Sequence, residues 1–209
     1  MKMLILFSGG LDSAVLLHKY KEDVGLAISF SYGAKNNAEE IKYAKHNCNI
    51  LGIKHQVIDL DLITMGIKSN MLTSGGDIPL GTEDSQVMIV PFRNGIMLAI
   101  AAGIAESNGL DTIAIASHYM GKDTPPDNKQ SFRDAMSLAI KYGTHTEVSI
   151  FAPFINIYKR DIALIGKEIG FNFADSYSCY KGEEFHCGIC EACLMRKEAL
   201  QGFDNTIYV

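Results

Sequence analysis

The chain alternates short apolar runs with longer segments of helical period, and no other feature restricts its fold as tightly. Residues 3–7, 24–30, 55–60, 112–116 and 148–151 are brief and mostly β-branched or aromatic. Between them, residues 13–20, 38–51, 94–107 and 132–142 have helical length and spacing. Near-continuous apolar strands need cover on both faces, and parallel neighbours need a crossover. The pattern therefore predicts an α/β fold with a doubly wound, mostly parallel sheet over residues 1–170. Residues 171–209 form a C-terminal region packed on it.

Ligands of such a sheet sit beyond the carboxyl ends of its strands, where strand order reverses. The segments that matter are then residues 8–13, 31–37 and 118–130. Residues 61–86, rich in Gly, Ser, Thr and Asp and without a clean period, are expected as a long loop or lid. There is no internal repeat and no low-complexity tract.

Residues 8–13, SGGLDS, follow a strand run and open a helix. That arrangement aims backbone N–H groups and a positive helix end at an anion, and glycines let phosphate approach closely. Ser8 and Ser13 add hydroxyls, and Asp12 is a candidate helix cap or magnesium ligand. The similar string TSGGD at residues 73–77 has neither a strand before it nor an apolar helix after it, and reads as loop. The motif is not G-x-x-x-x-G-K-[ST] or G-x-G-x-x-G. Without a lysine gripping the β and γ phosphates, cleavage between the α and β phosphates is the natural expectation.

Composition narrows the partners. The chain has 209 residues, 47% of them apolar, enough for one substantial core without disulfides. Nineteen Lys plus Arg against 24 Asp plus Glu leave a formal charge of -5. A polyanion needs a concentrated basic surface, so no nucleic-acid partner is expected. The longest apolar run, residues 96–105, is far short of a membrane span, and the N-terminus reads as neither anchor nor signal. The expectation is a cytoplasmic protein with a small-molecule substrate and no membrane partner.

Of five cysteines, four fall within residues 179–193: Cys179, Cys187, Cys190 and Cys193. Four thiolates complete a tetrahedral zinc shell, and the three-residue steps of CGICEAC let one turn wrap an ion, eased by Gly188. C-x-x-C-x-x-C is also compatible with iron–sulfur ligation. The closed set of four and the absence of a nearby Cys-Pro favour structural Zn2+. His186, beside Cys187, is an alternative ligand but reads rather as a surface histidine, and Cys48 as a packed helical residue.

SGGLDS after the first strand resembles the pyrophosphate loop of the PP-loop ATPases, also called N-type ATP pyrophosphatases. The resemblance implies an adenine nucleotide alpha hydrolase-like, Rossmann-like sheet, ATP binding with Mg2+, and adenylation of a substrate oxygen. SCYKGEEFHCGICEAC at residues 178–193, with FSYG at 30–33, VPFRN at 90–94 and LMRKEAL at 194–200, resembles the 7-cyano-7-deazaguanine synthase family, in the same order over essentially the whole chain. That likeness implies an ATP-dependent carbon–nitrogen ligase of queuosine biosynthesis, acting as a homodimer. Its implied substrates are 7-carboxy-7-deazaguanine and ammonia, joined through adenylated acid and amide.

Carried over by matching motifs, Phe7, Ser8, Gly9, Gly10, Leu11, Asp12 and Ser13 hold ATP. Asp12, Ser13, Arg93 and Lys159 are implied as catalytic, and Arg93, Asn94 and Asp127 as substrate-binding. Capping its helix is an equal role for Asn94. The four cysteines hold the metal. The chain departs from the family at Phe92, where glycine is usual, and at PPDNKQSF in residues 125–132, where the family reads close to Tyr-Pro-Asp-Cys-Arg-Pro-Glu-Phe. Lys129 there replaces a bidentate arginine with a point charge. Two other functions stay open: a divergent ligase that adenylates another carboxylate or joins a deazapurine acid to another amine, and a nonenzymatic nucleotide-binding zinc module.

Overall fold

The computed structural model describes residues 2–62, 65–67, 71–73, 76–81 and 88–209. Five parallel strands form one sheet in the order β3-β2-β1-β4-β5: β1 Met3–Leu6, β2 Val24–Ser31, β3 His55–Asp59, β4 Thr112–Ala114 and β5 Ser149–Phe151. Helices α1 Leu11–Lys19, α2 Asn37–Leu51, α3 Arg93–Ser107, α4 Gln130–Gly143, α5 Lys159–Glu168 and α6 Glu191–Ala199 complete it. The chain winds from β1 outward to β3, then returns past β1 to β4 and β5. Strand order therefore reverses between β1 and β4.

Alternation along β1 explains the two cores. Met3, Ile5 and Phe7 share one core with Leu11, Val15 and Leu16 of α1 and with Ile162 and Ala163 of α5. Leu4 faces the other way, into a core with Ile28, Ile113 and Ile150 of the sheet and Leu98 and Ala101 of α3. Side chains of successive strand residues point to opposite faces, so four apolar residues in a row serve both. Each fully buried leucine, such as Leu16 or Leu17, contributes roughly 1.5–3 kcal/mol relative to exposure.

Several expectations need correction. The strand β3, HQVID, is half-buried or exposed throughout, because it is an edge strand and needs no full cover. The helix α1 begins at Leu11, two residues before the expected start, since Gly10 takes the cap position. Asp12 and Ser13 therefore lie in the first helical turn, and Asp12 is not the cap. Residues 118–130 are not plain loop but carry short 3-10 turns at Gly121–Asp123 and Pro126–Asn128. Within residues 61–86, the described stretches hold turns and an isolated bridge from Gly81 to Cys190; Ser74 and Gly75 of the TSGGD string lie outside the described residues. Among the described residues no helix is long and apolar enough to cross a membrane.

Candidate active site

At the carboxyl ends of β1, β2 and β4 lies a cavity of about 370 Å³, within the range of small-ligand sites and at the position the strand order dictates. The glycine turn forms one wall. Gly9 has φ +89°, and a methyl group there would lie 2.1 Å from the carbonyl oxygen of Glu40, inside the backbone of α2. Only glycine fits both the angle and the space. The amide of Gly10 donates to Ser8 Oγ at 3.1 Å, and Ser13 Oγ donates to the carbonyl of Gly10 at 3.1 Å. Ser8 Oγ and Ser13 Oγ are themselves 3.1 Å apart. The turn is thus preformed around its own hydroxyls, with the N-terminus of α1 behind it.

Asp12 connects this turn to two other elements. Lys159 Nζ, from the first residue of α5, donates to Asp12 Oδ2 at 2.5 Å, and His118 Nδ1, after β4, lies 3.6 Å from the same oxygen. Burial favours the neutral acid, but Lys159 and then His118 outweigh it and hold the Asp12 carboxyl below its ordinary value. Burial also lowers the His118 pKa, so that its imidazole favours the neutral form. Asp12 Oδ1 and His118 Nε2 are buried without a hydrogen-bond partner among the described residues. An anionic oxygen left open beside the glycine turn fits a divalent cation such as Mg2+.

Arg93 and Asn94 open α3 on the far wall. Arg93 Nη1 donates to the Tyr32 hydroxyl at 3.0 Å, and the guanidinium lies over the Tyr32 ring. Asn94 does not cap its own helix. Its backbone N–H donates to Asp127 Oδ2 at 2.9 Å, and its Nδ2 donates to Asp127 O and Asn128 Oδ1. Asp127 therefore caps α3 from the 125–132 segment, and Asn94 ties that segment to the cavity. Phe92, at the position where the resemblance implies a usual glycine, adopts φ +53° and packs edge-on against Phe132. Glycine adopts such a positive angle more readily than phenylalanine, and the ring contact with Phe132 gives the phenylalanine here an aromatic partner.

Sequence reasoning missed Glu40. Asn36, Asn37, Glu40 and Ile41 line the same cavity at helical spacing, which was the available signal. Burial, opposed by Arg93, pushes the Glu40 carboxyl up to about 7.

The four cysteines of the C-terminal region converge, their sulfurs all within 4.8 Å of one another and all four residues buried. The N–H of Cys187 donates to Cys179 Sγ and that of Cys190 to Cys187 Sγ, both at 3.4 Å. Such bonds orient and stabilise thiolate ligands, so the donor set fits a closed tetrahedral metal site. Gly188 has φ +71° in the wrapping turn. His186 is not at the surface as expected. It is 5% exposed, accepts from the N–H of Ser178 at 3.0 Å, and packs between Tyr177 and Tyr208. It lies outside the ligand set. Cys48 is buried as expected. The LMRKEAL arginine, Arg196, is fully buried and donates to Ser176 Oγ, Ser178 Oγ, Thr206 Oγ1 and the carbonyl of Phe173. The cysteine-bearing segment borders the cavity through Ser178, Tyr180 and Glu191.

Known proteins resemble this chain over nearly its whole length. The family described as Queuosine biosynthesis protein QueC matches residues 2–204. The 7-cyano-7-deazaguanine synthase of Porphyromonas gingivalis is 48% identical over 200 residues, covering 94% of this chain and 91% of the relative. Its counterpart in Desulfotalea psychrophila is 44% identical, covering 99% and 98%. That of Methanothermobacter thermautotrophicus is 34% identical, covering 98% and 97%.

Proposed function

The chain belongs to the family described as Queuosine biosynthesis protein QueC, and from that premise we propose that it converts 7-carboxy-7-deazaguanine and ammonia into 7-cyano-7-deazaguanine at the expense of ATP. The observation that carries this is that the glycine turn, the Asp12–Lys159 pair and Arg93 line one common cavity. Residues 1–170 supply the ATP chemistry and residues 171–209 the metal-bound support.

ATP phosphates bind the amides of the turn through residues 7–13. Lys159 and Arg93 face the charge that develops as the carboxylate oxygen attacks the α phosphate and pyrophosphate departs. The adenylated acid then meets ammonia, and the amide forms with loss of AMP. A second adenylation, on the amide oxygen, allows loss of a second AMP and formation of the nitrile. Positioning and charge stabilisation are the protein's main contributions, since each activated intermediate reacts readily once its partner is held close. Asn94 and Asp127 fix the 125–132 segment against the base.

Asp12 Oδ1 is the donor that would hold Mg2+, and the ion would supply charge screening of the phosphates. Cys179, Cys187, Cys190 and Cys193 would hold Zn2+ in a structural role. The enzyme acts in the cytoplasm as a homodimer on small molecules, with neither nucleic acid nor membrane as partner. The acidic balance of the chain and the extent of the family likeness support these assignments.

Incubation of the purified protein with ATP, ammonium and 7-carboxy-7-deazaguanine tests the proposal by mass spectrometry. Nitrile together with AMP and pyrophosphate is the expected result. ATP consumption without nitrile points to the divergent ligase, and no AMP with any acid or amine points to a nonenzymatic module.

A further inference from the structure

Glu40 lines the cavity one turn into α2 and has no assigned part in the chemistry above. A methyl group built on Gly10 would lie 3.9 Å from Glu40 Oε1, so the carboxyl sits beside the turn that holds the phosphates. Among the described residues, neither oxygen of Glu40 has a hydrogen-bond or ion-pair partner; the nearby guanidinium of Arg93 gives its Nη1 to Tyr32 instead. An unpartnered carboxyl next to bound phosphate is repulsive unless a cation lies between them. The reaction itself brings such a cation to this cavity, because its nitrogen source is mostly ammonium near neutral pH and only free ammonia is a nucleophile.

We propose that Glu40 binds ammonium beside the glycine turn and takes its proton, releasing ammonia for attack on the adenylated acid. This rests on the ligase function proposed above. One N–H bond of ammonium breaks and one O–H bond forms on Glu40. The freed nitrogen lone pair attacks the acyl carbon, the bond from that carbon to the AMP oxygen breaks, and AMP leaves with the electron pair. The new amide nitrogen loses its extra proton to solvent, and Glu40 returns its own by the cavity mouth.

The titration of Glu40 suits the task. Burial, partly opposed by Arg93, brings its carboxyl up to about 7, close to the operating pH at which a proton acceptor is most effective. The groups that face it are Arg93 from α3 and the Tyr32 hydroxyl at the end of β2. The hydroxyl of Tyr32 is held neutral by burial, so Arg93 is the charge that tunes the site.

Hydroxylamine separates this role from any part in adenylation, because it is already a neutral nucleophile near pH 7. Glu40→Gln should lower amide and nitrile formation from ammonium by about 10²-fold or more, the range of general acid–base effects. Capture of the adenylated acid by hydroxylamine as the hydroxamate should stay within about 3-fold of wild type, which also reports that the variant folds and adenylates. Raising the pH, which supplies free ammonia directly, should restore most of the lost rate. Equal loss with both nucleophiles, relieved by added magnesium, would make Glu40 a magnesium ligand and overturn the proposal, as would an unchanged rate with ammonium. Wild-type enzyme that forms no hydroxamate refutes the ligase function itself.

Discussion

The backbone N–H of Tyr177 donates to the carbonyl of Gly9 at 3.0 Å, so the segment that carries Cys179 also braces the glycine turn. Tyr177 is fully buried, with its hydroxyl donating to the carbonyl of Glu183. Metal removal should therefore weaken ATP binding as well as stability. Chelation, or Cys190→Ser, is expected to lower the unfolding free energy by more than about 3 kcal/mol, modest beside the roughly 10–16 kcal/mol with which structural zinc binds small peptides. Calorimetry under conditions where the metal-free protein remains folded should show a raised Kd for ATP. An unchanged Kd would mean the two sites are independent.

Gly9→Ala is expected to be among the most damaging single-methyl changes in the chain. The added carbon would meet the backbone of α2 at 2.1 Å with φ at +89°, and neither the helix nor the turn can yield without losing its bonds. Destabilisation of about 3 kcal/mol or more follows from overpacking and an unfavourable dihedral together. Thermal unfolding measures it. Gly52→Ala, at φ +67° with open space around it, should cost only about 1 kcal/mol.

Asp12→Asn keeps the shape of the side chain and removes its charge. Pyrophosphate release should fall by at least about 10²-fold while the protein stays folded. In the wild type, Lys159 and His118 hold the folded-state carboxyl below its ordinary value. The ionised form is thus favoured by folding, its stabilising contribution is present above the unfolded-state pKa, and it is lost as pH falls through the lower folded one. The stability difference between Asp12→Asn and wild type should accordingly shrink on acidification, as urea titrations at several pH values can measure.

Glu40 has the opposite sign. Its folded-state pKa of about 7 exceeds the ordinary value, so stability is fully present below the unfolded pKa and is lost as pH rises through 7. Removing the ionisable carboxyl should then stabilise the fold at alkaline pH, by up to about 3 kcal/mol from the size of the shift. Glu40→Gln is expected to unfold at higher urea than wild type at about pH 8 and at the same urea below about pH 4.5. A variant less stable at both would show the carboxylate to be a structural partner.

The parallel sheet was legible because β1, β2 and β4 are apolar on both faces and separated by helical periods. The edge strand HQVID was placed correctly but not its exposure, which depends on which strand ends the sheet. The position of SGGLDS between a strand and a helix was legible from its flanking apolar runs, and the convergence of the four cysteines from type and spacing. The meeting of Lys159 with Asp12, residues 147 apart in sequence, was not, because topology brings them together and no local pattern records it. The same holds for Asp127 capping α3 from 33 residues away. Phe92 reads in the sequence as a departure from a usual glycine, and only the fold shows that the position has a φ of +53°. His186 was misread because a lone histidine in a polar stretch gives no sign that Tyr177 and Tyr208 will enclose it.

The most direct test of the ligase chemistry follows oxygen rather than carbon. With both carboxylate oxygens of 7-carboxy-7-deazaguanine labelled as oxygen-18, each adenylation transfers one labelled oxygen to the AMP that leaves. Mass spectrometry should find two AMP for each nitrile formed, every one carrying a single oxygen-18. Unlabelled AMP, ADP in its place, or label retained in the deazapurine product would contradict the double adenylation at this site.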